Sequence, residues 1–341
     1  MRYVVSASQR VKTYRIFYFS IMKMTLLYIV LAAMMTACGS TGTTASVQDP
    51  ADSAATTRVS TFDGEAAMML TRQQCEFGPR VPGTPAHAKC ADWLVQTLQT
   101  SCDTVIVQTG NVLTALSGTI GIKNIIGIIN PDATQRLLLL AHWDTRPWAD
   151  NDPNPDNHSK PVMGANDGAS GVGVLLQLAH QLKANGTSLG LDILLVDAED
   201  MGENDNEESW GLGTQYWIQH PHVGGYKPLF GILLDMVGAP DATFTREYYS
   251  TQYAGGFVDL VWKNTAGSHF INSQGGAVTD DHVFVNRGGI PCIDIIDMRS
   301  DSETGFCPVW HTVDDTMNGI SPATLADVGQ TLLNVIAKLE E

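Results

Sequence analysis

Between residues 137 and 312, short segments repeatedly place carboxylate or imidazole side chains just after an apolar run. They are Leu137-Leu138-Leu139-Leu140-Ala141-His142-Trp143-Asp144, Gly164-Ala165-Asn166-Asp167-Gly168, Leu194-Leu195-Val196-Asp197-Ala198-Glu199-Asp200, Leu233-Leu234-Asp235, Asp280-Asp281-His282 and Trp310-His311-Thr312. Such groups are costly to desolvate unless they are paired or hold a cation. The pattern therefore predicts ligands gathered at the carboxyl ends of parallel strands, where open α/β sheets place their sites. A set of this size and composition points to a zinc-dependent enzyme.

The intervening sequence supports that architecture. Helical periodicity is expected over 65–76 and 86–100, on either side of a Gly-Pro-rich connection at 78–85. Strands are expected at 105–108, 123–129, 136–142, 191–197, 230–235 and 291–296. Helices are expected at 170–185, 213–220, 258–266 and 321–340, the last with Ser321 as N-cap and Pro322 in its first turn. Alternation of this kind predicts an α/β domain: a central, mostly parallel, twisted mixed sheet with helices on both faces. Long polar connections at 144–163, 200–210 and 296–317 flank the candidate residues, as functional loops often do. The run from Asp150 to His158 carries many oxygen donors, but its prolines and spacing fit a solvated loop better than a calcium site. The acidic run 203–208 reads as a solvated rim of the pocket.

Composition sets limits. With 44% hydrophobic residues the chain can fill a large core, and its net charge of −16 argues against a nucleic-acid partner. Lys23 precedes an apolar stretch at 24–35, too short to span a bilayer but suited to a signal peptide. The stretch ends in Met35-Thr36-Ala37-Cys38, which resembles a bacterial lipobox. The expected organisation is an upstream extension and signal peptide over 1–37, a flexible tether lipidated at Cys38 over 38–58, and a catalytic domain over 59–341. That organisation implies export and a membrane anchor facing the periplasm. Cys75, Cys90, Cys102, Cys292 and Cys307 form no CxxC pair. Bridges of Cys75 with Cys90 or Cys102, and of Cys292 with Cys307, stand open beside simple buried thiols.

The order His-x-Asp, Asn-Asp-Gly, acidic pair, Leu-Asp, Asp-Asp-His and Trp-His-Thr, opened by Gly78-Pro79-Arg80-Val81-Pro82-Gly83, resembles the zinc aminopeptidase superfamily. Within it, the chain resembles the zinc-dependent glutaminyl-peptide cyclotransferases, the bacterial type more than the animal one. The resemblance runs from residue 61 to the end. It implies one zinc per chain held by Asp167, Asp200 and His311, with Asp200 standing where animal members have Glu. It further implies Glu199 as general acid/base, Asp235 and Asp280 as acidic residues beside it, and Trp210 and Trp310 as pocket walls. His142, Asp144 and His282 would support these groups, and the substrate would be peptides or proteins with an N-terminal glutamine. A two-zinc aminopeptidase, with His142 as a metal ligand, is the alternative on the same fold.

Overall fold

The computed structural model describes residues 60–341. The expected signal peptide, Cys38 and the tether over 38–58 lie outside them. Among the described residues no helix is long and apolar enough to cross a membrane.

The chain enters through two helices, α1 (Gly64–Glu76) and α2 (Pro85–Ser101), then forms strands β1 (Thr104–Thr114), β2 (Gly118–Ile129) and β3 (Arg136–His142). Helix α3 (Ala169–Asn185), β4 (Gly190–Val196), α4 (Leu212–Gln219) and β5 (Gly231–Asp235) follow. Then come β6 (Phe244–Arg246), α5 (Tyr248–Lys263), β7 (Phe270–Gln274), α6 (Asp281–Arg287), β8 (Cys292–Ile296) and α7 (Pro322–Glu340).

Six strands make one sheet in the order β1-β2-β4-β3-β5-β8. β4, β3, β5 and β8 run parallel, whereas β1 and β2 form an antiparallel hairpin that joins β4 antiparallel. The parallel strands are buried almost throughout, which explains their continuous aliphatic runs. Alternation sends Leu137 and Leu139 toward the core shared by α1, α2, α3, α5 and α7. Leu138 and Leu140 face the opposite core, with Trp217 of α4 and Val285 of α6. Helices thus cover both faces, as expected.

Several elements differ from the expectations. β1 extends far past residue 108 because it is an edge strand of alternating exposure, which carries a weak hydrophobic signal. α5 begins at Tyr248 rather than near 258. The parallel pair β6–β7 and the seven-residue α6 are too short to show a period. The five described cysteines are all free thiols. Burial pushes those of Cys90 and Cys102 up to about 12, so they pack as small apolar groups.

Candidate active site

The carboxyl ends of β3, β4 and β5 deliver His142, the Asp197–Asp200 turn and Asp235 to one side of the sheet. Asp167 arrives on the turn before α3. Gly168 is required there: its φ is +94, and a Cβ would meet the Asp144 carbonyl at 2.9 Å and the His142 ring at 3.0 Å. Arg80, fully buried, donates to the carbonyls of Trp143 (3.2 Å), Met163 and Gly164 (2.7 Å). The Gly-Pro-Arg motif therefore pins both ends of the 144–163 connection.

Asp167, Asp200 and His311 converge, each offering a ligand atom within 4.8 Å of the others. His311 Nε2 lies 3.2 Å from Asp200 Oδ1 and 3.7 Å from Asp167 Oδ2. All three are buried, and Asp167 Oδ2 has no hydrogen-bond partner among the described residues. A desolvated carboxylate oxygen facing another carboxylate and an imidazole suits a divalent cation, so the residues fit zinc. A second group, His142, Asp167 and Asp235, also satisfies the spacing for a metal, with His142 Nε2 3.0 Å from Asp167 and 3.2 Å from Asp235.

Glu199 borders the same space and is buried. Desolvation, reinforced by the Asp280 and Asp200 charges against the opposing pull of His142, holds its carboxyl well above the ordinary glutamate range. Burial likewise raises Asp235 to about 6 and Asp280 to about 7. Asp144 accepts from the backbone N–H groups of Glu199 (3.1 Å) and Asp200 (3.2 Å), fixing the turn that carries both. Asp280 caps α6, and His282 lies behind it between Glu247 (3.1 Å) and Asp294 (3.5 Å).

A cavity of about 330 Å³ opens above these groups, lined by Asp167, Glu199, Asp235, Asp280, Trp210 and Trp310, with Tyr249 and Phe306 adding aromatic wall. The Trp310 ring stacks on His311 at 3.7 Å, and Trp210 faces that imidazole from 6.1 Å. Asn204 and Glu207 of the acidic run reach the cavity rim. Of the expected site residues, Asp167, Glu199, Trp210, Asp235, Asp280, Trp310 and His311 line the cavity, while His142, Asp144, Asp200 and His282 lie behind that lining.

Other residues were not anticipated. Asp315 accepts from the N–H groups of Asn166 (2.8 Å) and Asp167 (3.1 Å) and so aims the Asp167 turn. Arg146 contacts Asp200 and Asp150. The 150–158 segment is not simply a solvated loop: Asp152 accepts from Asn154, Asn157 and Val313, and Asn151 N–H donates to the His311 carbonyl. The links of Asp315 to Asp167, Arg146 to Asp200 and Asp152 to Val313 join residues far apart in the chain.

The family model for peptidase family M28 matches residues 124–336. Porphyromonas gingivalis glutaminyl cyclase is 46% identical with a TM-score of 0.80, covering 82% of this chain and 99% of that one. A Zn-dependent exopeptidase from Parabacteroides distasonis is 43% identical with a TM-score of 0.80, over 82% and 99%. The glutaminyl-peptide cyclotransferase of Drosophila melanogaster is 26% identical over 273 residues, 72% of this chain and 73% of that one. With the motifs converging in one cleft and similarity spanning the whole folded domain, the chain belongs to peptidase family M28 and, within it, to the glutaminyl-peptide cyclotransferases.

Proposed function

We infer that this protein cyclises the N-terminal glutamine of peptides or proteins to pyroglutamate and releases ammonia, with one zinc per chain held by Asp167, Asp200 and His311. The observation that carries the reading is Glu199: a buried carboxyl bordering the proposed zinc ligands, in a cavity of about 330 Å³ walled by Trp210, Trp310, Tyr249 and Phe306. Zinc bound there would supply a Lewis acid for the γ-amide carbonyl.

The chain's own residues perform the remaining tasks. Glu199 accepts a proton as the α-amine attacks Cδ, closing the N–Cδ bond. As the bond from Cδ to the amide nitrogen breaks, Glu199 returns a proton and ammonia leaves. Burial, with the charges of Asp280 and Asp200 beside it, makes Glu199 a stronger base than an ordinary glutamate. Trp210 and Trp310 hold the side chain folded toward its own amine. Intramolecular attack of this kind carries effective molarities of roughly 10⁵ M or more. No external water takes part.

The cluster of His142, Asp167 and Asp235 supports a second reading, in which another cation converts the site to a two-zinc aminopeptidase. One experiment separates them. A Gln-initiated and a Leu-initiated peptide are incubated with the zinc-loaded protein and read by mass spectrometry, alongside metal content. Loss of ammonia from the first alone, with one zinc per chain, is expected; released leucine with two zincs would overturn the reading. The lipobox-like sequence supports an exported enzyme anchored through Cys38 and facing the periplasm, and metabolic labelling with a fatty acid in wild type and Cys38→Ser tests that anchor.

A further inference from the structure

Arg146 is a cation buried beside the proposed zinc ligand Asp200, 1% exposed. Its Nε and Nη2 donate to the two oxygens of Asp150 at 2.7 and 2.6 Å, a bidentate pairing. Its Nη1 points to Asp200 Oδ1 (3.2 Å), the Asp200 carbonyl (3.3 Å) and the Gly202 carbonyl (3.2 Å). Trp148 and Trp210 stand over the guanidinium at 5.1 and 5.0 Å. Asp150 Oδ1 in turn lies 3.3 Å from His311 Nδ1. One planar group therefore reaches Asp200 directly, His311 through Asp150, and Trp210 through its ring face.

This arrangement has a chemical logic. A metal-binding imidazole needs a partner on its other nitrogen to fix tautomer and ring orientation, and Asp150 is the carboxylate within reach of Nδ1. An unpaired Asp150 would add negative charge beside the ligands; paired with Arg146 it adds none. His311 has a left-handed backbone (φ +56), so its orientation depends on what grips its ring and carbonyl. Lysine would supply charge but not the fork that engages both aspartates in one plane.

We propose that Arg146 and Asp150 are the positioning pair of the metal centre, setting zinc affinity by aligning Asp200 and His311 and holding the Trp210 wall to that same frame. The proposal rests on the zinc reading above. Because Arg146 stacks on Trp210, its loss reaches the substrate pocket as well, whereas loss of the Asp150 charge acts mainly on the metal.

The test measures zinc dissociation constants by competition with a chelating dye, without turnover, for wild type, His311→Gln, Asp150→Asn and Arg146→Lys. Melting of the metal-free forms serves as the fold control. Expected are losses of zinc affinity of roughly 10- to 100-fold for Asp150→Asn and Arg146→Lys. At saturating zinc, Arg146→Lys should also raise KM for a Gln peptide more than Asp150→Asn does. If Arg146→Lys does not fold, Asp150→Asn carries the test, since that side chain is 28% exposed and the change keeps its shape. Zinc affinity within twofold of wild type in the folded variants, while His311→Gln loses zinc, would overturn this proposal alone. Unaltered zinc binding in His311→Gln would instead overturn the ligand assignment beneath it.

Discussion

Asp144 offers the sharpest check on how the site is assembled. Its carboxylate is fully buried and accepts from two backbone N–H groups, those of Glu199 and Asp200. Replacing it with alanine leaves both donors buried without partners. At about 1–3 kcal/mol for each unsatisfied group, the loss comes to about 2–6 kcal/mol. Asp144→Asn keeps one accepting oxygen and turns an amide toward the other donor, so about half of that loss is expected. Activity should fall too, because the turn carries both the proposed base and a proposed ligand, and a displacement of about 1 Å costs roughly 100-fold. Urea unfolding with a chelator present isolates the fold from metal linkage, and pyroglutamate formation at saturating zinc reads the chemistry. An exposed carboxylate on the neighbouring loop, Asp156, provides a control whose replacement should change neither. A loss below 1 kcal/mol for Asp144→Ala, or wild-type kcat/KM, would refute the claim that this carboxylate holds the turn.

Other outcomes follow from the same geometry. Glu199→Gln should lower kcat by roughly 10²- to 10⁴-fold with KM little changed, measured as ammonia release from a Gln peptide. A base with a raised pKa is ionised only above that raised value. Activity should therefore fall with decreasing pH at a point above the usual glutamate value of 4.5, and Asp280→Asn, by removing a like charge, should move this limb of the pH–kcat/KM profile downward. Chelation should abolish turnover and lower the melting temperature, and zinc at about 100 times its Kd should restore about 2.7 kcal/mol. Glu207 and its acidic neighbours at the cavity rim predict higher kcat/KM for Gln-Lys than for Gln-Glu peptides, with a gap that narrows at high salt and in Glu207→Gln.

The sequence was most readable where burial is two-sided. A strand such as β3, Arg136–His142, must be continuously aliphatic to lie between two helical layers, so its polar end marks the edge of the core. Asp200 lies just past such a strand, β4, whereas Asp167 and His311 sit on loops and were read from the resemblance of the Asn-Asp-Gly and Trp-His-Thr motifs. The hairpin β1–β2 was less legible, since an edge strand needs apolar residues on only part of one face. Arg146, Asp150 and Asp315 were not legible as site residues. Nothing local separates a buried arginine from a solvated one in a polar loop. Its partner Asp200 is 54 residues away, and Asp315 serves Asp167 from 148 residues away.

Those long-range partners explain a feature of the backbone that no local pattern announces. Ala198 (φ +54), Met236 (φ +50) and His311 (φ +56) adopt left-handed conformations, each costing of order 1–2 kcal/mol for a residue other than glycine. In every case a neighbouring loop grips the chain next to the strained residue. After Ala198, the N–H groups of Glu199 and Asp200 go to Asp144. After Met236, those of Val237 and Gly238 go to Ser170 Oγ (3.0 Å) and Asn166 Oδ1 (2.8 Å). Around His311, Asn151 N–H donates to its carbonyl and Asp152 accepts from Val313. At Ala198 and Met236 the chain turns as it leaves β4 and β5, and at His311 it turns on the loop that precedes α7; Glu199, Asp235 and His311 all line one cavity. Asp144, Asn151, Asp152 and Asn166 all lie on the connection between β3 and α3, so that connection holds the other loops at this edge of the sheet in place. A change in any of them is therefore transmitted to the cavity even when the altered residue does not touch it.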